Sequence, residues 1–213
     1  MAGSLVSRVG QAASAAAAAC SIVYVVGQLL EWLGLLGSSG GPNASSTALG
    51  IAILLLPSLL LGSANLVMMA ALHEAAPQPV RVISLSALGF AIAYAVLTGL
   101  VYFVQLTFVA PRIASGASEG IEILLFVPYR SFLFAVDLFG YSLMCLSALF
   151  VAFALPQTPA TFWARRCFQL TGALFPALAL QMYFPWLIWI GAIWAISYPL
   201  ACIQSYRLFG QLD

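Results

Sequence analysis

Six stretches of this chain run apolar for the length of a bilayer crossing, each with at most one charged side chain. They are Ala12–Leu36, Ala48–Leu72, Val82–Ala110, Ser131–Leu155, Cys167–Phe184 and Trp186–Tyr206. A helix rises about 1.5 Å per residue and needs about 20 apolar residues to cross hydrocarbon, so each stretch predicts a membrane span. Composition agrees. The chain is 63% hydrophobic and 6% charged, with a mean hydropathy of +1.07. A water-facing domain carries about 25% charged residues, so this chain cannot cover a soluble globule and lipid must be its main solvent. The predicted fold class is all-α, a polytopic transmembrane bundle of six helices forming one domain over residues 1–213.

The connections follow from what interrupts these stretches. Pro185 alone separates the last two, which predicts a tight helical hairpin. Ile121–Val127 is apolar but too short to cross, so it reads as an interfacial or re-entrant piece of the loop Pro111–Arg130. That loop is either a lid or a solvated connector. Gly37–Thr47 predicts a flexible, uncharged connector, and its Asn43-Ala44-Ser45 fits a glycosylation sequon. Arg8 and the following alanine run resemble the start of a secretory signal. The apolar stretch continues past Cys20 with no A-x-A site, however, so a retained first helix is expected.

All seven cations are arginine. The absence of lysine excludes Schiff-base chemistry, retinal attachment included. No basic cluster points to nucleic acid. An Arg-only, Ala-rich composition suggests a high-GC bacterial source. With the N-terminus inside, Arg8, Arg81, Arg165, Arg166 and Arg207 collect on one face and Arg112 and Arg130 on the other. Six spans then place both termini in the cytoplasm and make a multi-pass protein of the cytoplasmic (inner) membrane. Trp32, Tyr183, Trp186 and Trp189 fall near the outer interface, and Trp163 and Tyr206 near the inner one. Cys20, Cys145, Cys167 and Cys202 form no CxxC pair and read as small packing residues.

An ionisable residue inside a span costs roughly 2.5–3.5 kcal/mol at the helix centre on insertion scales. Glu31 and Asp137 are such residues, about 8 and 9 Å from the outer side by helical rise. Gln105 comes out at the same level. Tyr24, Gln28 and Glu31 share one face of the first helix. Tyr94, Thr98, Tyr102 and Gln105 share one face of the third, and Asp137, Tyr141 and Cys145 one face of the fourth. These stripes predict an outward-facing polar pocket between helices 1, 3 and 4. Its candidate ligand-binding residues are Gln28, Glu31, Tyr102, Gln105, Asp137 and Tyr141, with Arg130 above them and Gln181 as a further candidate. The competing reading makes these groups interhelical glue worth roughly 0.6 kcal/mol each. In that reading the acids pair with Arg130 or Arg112; a shared proton between the two is a further alternative.

No catalytic constellation assembles. Gly37-Ser38-Ser39-Gly40 resembles the G-x-S-G string of rhomboid intramembrane proteases, but that family needs a histidine beside the serine. The sole histidine, His73, is expected at the opposite membrane face, as a solvated boundary residue. One histidine is too few for a zinc site or paired haem ligation, so no metal or cofactor is expected. Asn65 is expected to bond a neighbouring helix, and Pro57, Pro176 and Pro199 to kink theirs.

The segments Val101–Thr107, Pro128–Ser131 and Asp137–Ser142 resemble stretches of uncharacterised bacterial six-helix membrane proteins of this size. The resemblance implies a cytoplasmic-membrane location and no particular activity. The architecture is also similar to the substrate-capturing subunits of energy-coupling-factor vitamin importers. These dock a partner through small residues on helix 1, as Ala12, Ala16 and Cys20, or Ala15 and Ala19, would here. Two functions follow as expectations. One is a small-molecule binding or transport component whose acids hold a polar or cationic group. The other is a non-catalytic interaction or sensory subunit whose polar stripes are structural. A lipid-acting enzyme ranks behind both. Expected partners are membrane lipid, a small-molecule ligand, and a membrane subunit or second copy.

Overall fold

The computed structural model describes residues 2–117 and 119–211. Among these every regular element is helical: α1 (Ala2–Trp32), α2 (Ala48–Glu74), α3 (Arg81–Val104), α4 (Ala110–Ala114), α5 (Phe132–Ala154), α6 (Phe162–Ala173), α7 (Phe175–Ala179), α8 (Ile188–Gly191) and α9 (Trp194–Phe209). A π turn over Gln105–Val109 joins α3 to α4, making one rod. Pro111 explains that turn. A proline lacks the amide that would bond the carbonyl four residues back, and its ring crowds that carbonyl; a wider turn relieves both.

The elements close into a ring. α1 packs on α2, α2 on α3, α3 on α5, α5 on α6, α6 on α9, and α9 back on α1. Without water to drive helices together in lipid, close backbone approach at small residues does much of that work. Ala87 and Ala91 of α3 and Ala148 and Ala152 of α5 are buried, and the Ser147 hydroxyl donates across the seam to the Ala87 carbonyl at 2.7 Å. A Cβ on Gly172 of α6 would stand 2.7 Å from the Leu149 Cα on α5. Outward, leucine, isoleucine, valine and phenylalanine stay exposed along the rods. Ala12, Ala15, Ala16 and Ala19 also face outward on α1.

The ring begins and finishes at one end. The Ser7 hydroxyl donates to the Phe209 carbonyl at 2.7 Å, and Gly10 lies flat against the Phe209 ring. His73 and Ser84, 2.8 Å apart, tie the α2–α3 corner at this same end, beside the Arg81–Glu74 pair at 3.6 Å. His73 is therefore half-buried and bonded, where a solvated boundary residue was expected. At the other end the Trp32 and Trp189 rings meet edge-on with centroids 5.8 Å apart. Arg8, Arg81, Arg165, Arg166 and Arg207 belong to the Ser7 end, and Arg112 and Arg130 to the Trp32 end.

Five helices are long and apolar enough to cross a membrane: Leu5–Trp32, Ala48–Glu74, Gln78–Ala114, Phe132–Ala154 and Pro185–Phe209. The predicted span Cys167–Phe184 is the exception. Its helix starts earlier, at Phe162, takes in Arg165 and Arg166, breaks at Leu174 and ends at Ala179. Pro176 sits just past the break and cannot bond back to Gly172, so the rod is resumed as a separate short helix. The hairpin after it is also wider than Pro185 alone: residues 180–184 turn and Pro185–Leu187 add a 3₁₀ turn. Pro57 and Pro199, by contrast, lie inside unbroken helices.

A tight seam at Gly172 gives a direct test. Gly172→Ala should lower stability by about 1–3 kcal/mol because the clash is with backbone as well as side chain. Gly89→Ala, where a Cβ meets nothing within 4 Å, should leave the melting temperature in detergent unchanged or raise it.

Candidate functional site

Glu31 is placed by the way α1 ends. Gly34 takes a left-handed conformation (φ 73°), which costs a glycine little. Its amide bonds to the Glu31 carbonyl at 2.9 Å and the Leu35 amide to Leu30 at 3.0 Å. This is a Schellman ending. The connector Gly37–Thr47 then folds back over it. The Gly41 amide bonds to the Trp32 carbonyl, the Ser38 hydroxyl to the Glu31 carbonyl and the Thr47 hydroxyl to the Leu36 carbonyl. It is a bonded cap on the bundle, not the flexible connector expected. Thr47 also caps α2 by accepting from the Gly50 amide.

The Glu31 side chain points inward beneath this cap, 3% exposed, and neither carboxylate oxygen has a hydrogen-bond partner. It lies against the first turn of α2, where a Cβ on Gly50 would be 2.7 Å from Oε2. A helix N-terminus carries a partial positive charge, and Glu31 sits against that end of α2.

Asp137 faces inward from the second turn of α5, which Ser131 starts by accepting from the Phe134 amide. Asp137 is 8% exposed and its Oδ1 is unpartnered. The Tyr102 hydroxyl lies beside both the Asp137 carboxyl and the Tyr141 hydroxyl. Behind them is an aromatic floor. Trp194 stands edge-on to Tyr24 (5.9 Å, 84°) and to Tyr141 (5.4 Å, 86°) and stacks flat on Tyr198 (5.2 Å, 6°). Tyr94 meets Tyr141 edge-on at 5.6 Å. The floor is pinned from below, where Tyr198 donates to the Asn65 side-chain oxygen at 2.9 Å, the interhelical bond expected of Asn65.

The two acids, Tyr24, Tyr102, Tyr141 and Trp194 line a cavity of about 470 Å³ at the Trp32 end. Of the candidates, Gln28, Glu31, Tyr102, Asp137 and Tyr141 border it, with Gln28 accepting from the Tyr24 hydroxyl at 3.1 Å. Two do not. Gln105 is turned by the π segment toward the loop between α4 and α5 and donates to the Leu124 carbonyl at 2.6 Å. Arg130 is exposed and forms no ion pair among the described residues. Arg112 also stays away from the acids, with its guanidinium 3.5 Å from the Phe108 ring centroid. The Arg81–Glu74 pair is the one ion pair among the described residues, so neither acid in the cavity is balanced by an arginine.

The walls differ from expectation too. α3 supplies Tyr102 alone, while α2 (Ile51, Leu54, Leu55) and the α8–α9 side (Ile188, Gly191, Trp194) contribute faces that no polar stripe announced. Trp194 and Tyr198, one turn apart, were the available signal for the last of these. Exposed Leu29 on α1 and exposed Ala192 and Ile196 beyond α8 border the cavity, so it opens sideways between α1 and α8–α9, below the Trp32–Trp189 contact.

The loop between α4 and α5 closes the opposite side through Phe126 and Pro128. Tyr129 sits at φ 61°, rare for a residue with a side chain. It is held by Gln181, which donates to its hydroxyl at 3.2 Å, and by edge contact with Phe134 at 5.1 Å. Gln181 is thus a loop anchor and does not line the cavity. Burial pushes the Tyr129 phenol up, and the Gln181 bond partly offsets this. Amides of Glu122 itself and of Gly120 hold the Glu122 carboxyl below its usual range.

Ser39 precedes the start of α2 and His73 sits in its last turn, so most of a 27-residue helix about 40 Å long separates them. Among the described residues no three His, Cys, Asp or Glu side chains gather as metal ligands. Fold and composition together make this a multi-pass helical membrane protein. Comparison with protein families, with curated proteins and with solved structures finds no match.

Because Gln105 anchors the loop, Gln105→Leu should speed hydrogen exchange in residues 119–131 roughly fivefold, the equivalent of about 1 kcal/mol. Exchange in α1 and α5 should not change.

Proposed function

We propose that this protein is a small-molecule binding or transport component of a bacterial cytoplasmic membrane, with its chain ends in the cytoplasm and its cavity in the outer half of the bilayer. The observation that carries the reading is the cavity between Glu31 and Asp137, two buried acids with unpartnered oxygens and no arginine beside them. Each such acid opposes insertion by roughly 2.5–3.5 kcal/mol, and acids kept at that cost generally face a substrate, an ion or a proton path. The arginine split supports the orientation, since the positively charged end of a multi-pass protein stays inside.

A second reading is favoured by two contacts. Tyr102 beside Asp137 and the α2 N-terminus beside Glu31 would steady the acids in a purely structural role, as an interaction or sensory subunit requires.

Glu31→Gln and Asp137→Asn separate the two. A thermal-shift screen of the purified protein against metabolites and lipids should find compounds that raise its melting temperature, because a ligand of the folded state stabilises it. Both variants should fold with melting temperatures near the parent's and lose that response. Variants that unfold while the parent responds to no compound would establish the structural role. The orientation has its own check: a fluorescent protein fused to the C-terminus should fluoresce in the cytoplasm, and an exported phosphatase fused there should be inactive.

A further inference from the structure

The binding reading leaves the chemical class of the ligand open, and the cavity narrows it. Its charged groups are both acidic. Of the two, Glu31 already faces the positive end of α2, whereas Asp137 faces a tyrosine hydroxyl and aromatic rings. Asp137 is therefore the acid that no helix end attends, and a group with a single positive charge is its complement. Tyr24, Trp194 and Tyr141 border the same cavity as Asp137 and stand at near right angles in succession. Aromatic rings and a carboxylate on one cavity wall together attract a bulky organic cation. They are poor company for a calcium or magnesium ion, which needs six or more oxygen ligands or retained water. The remaining walls, Leu54, Leu55, Leu138 and Leu178 among them, are aliphatic and suit an apolar body. The sideways opening past Leu29 and Ile196 leads into the lipid-facing belt of the ring.

We infer that the ligand is an apolar organic monocation, seated with its charge between Asp137 and the Tyr24, Trp194 and Tyr141 rings and entering from the bilayer between α1 and α8–α9. This rests on the binding reading above.

The test uses the full-length protein in nanodiscs of uncharged lipid, with melting temperature and tryptophan fluorescence as readouts. Benzyltriethylammonium should raise the melting temperature and perturb tryptophan emission saturably. Benzenesulfonate, benzyl alcohol and calcium should do neither. Asp137→Asn should weaken benzyltriethylammonium binding at least tenfold. Trp194→Leu should weaken it comparably, and Trp194→Phe, which keeps a ring face and the fold, should retain most of it.

An equal response to benzyl alcohol or benzenesulfonate, abolished by the cavity-filling Leu54→Trp, would overturn the cation assignment while leaving the cavity a binding site. Undiminished benzyltriethylammonium binding by Asp137→Asn would overturn the assignment as well. No response to any probe, with Asp137→Asn and Glu31→Gln altering stability alone, would overturn both the assignment and the binding reading.

Discussion

Hydrocarbon offers no hydrogen-bond partners, so a chain that lives in it must satisfy its polar groups from its own atoms. The α-helices do this for the backbone, and hydroxyl side chains follow the same rule. Ser58, Thr98, Ser142 and Ser205 each donate to the carbonyl four residues earlier. Thr171 does so while also reaching Ser197 across the α6–α9 seam. Closing six such segments into a ring gives each of them two neighbours and one inner face. Whatever polar chemistry the protein keeps must collect on that inner face.

The groups left unsatisfied show where. Glu31, Asp137, Tyr94 and Tyr141 all have polar atoms buried without a partner, and they lie at or just beneath one cavity. Below them the pattern changes. Tyr198, Trp194 and Asn65 are joined by stacking and a hydrogen bond, and Trp194 donates to the Met144 sulfur. Tyr198 and Trp194 thus pack the space beneath the cavity, although Asn65 Nδ2 and Ser14 Oγ are also buried without a partner.

How much of this was legible beforehand depended on the kind of signal. Long apolar runs report burial in lipid directly, which is why five of the helices are where hydropathy puts them. Helical spacing likewise placed Glu31, Gln28, Tyr102, Asp137 and Tyr141 around one space. The misses share a cause, local backbone departures that hydropathy does not record. The π turn before Pro111 swings Gln105 out of register with Tyr102. The break before Pro176 divides a rod whose first half carries two arginines. The glycines at 34 and 40 look like slack, yet they permit the fold-back that roofs the cavity. Trp194 was overlooked because it carries no charge to mark it as anything but packing.

Where the ring is fastened has a consequence for its order of assembly. Ser7 and Phe209 clasp helices 202 residues apart in sequence, and the join between α1 and α9 pairs the first rod of the circuit with the last. During synthesis every other joint can form as its second member emerges, but this one waits for the last helix. The finished protein accordingly has one late, long-range junction, bolted by Ser7 and Phe209 at one end and closed by the Trp32–Trp189 ring contact at the other.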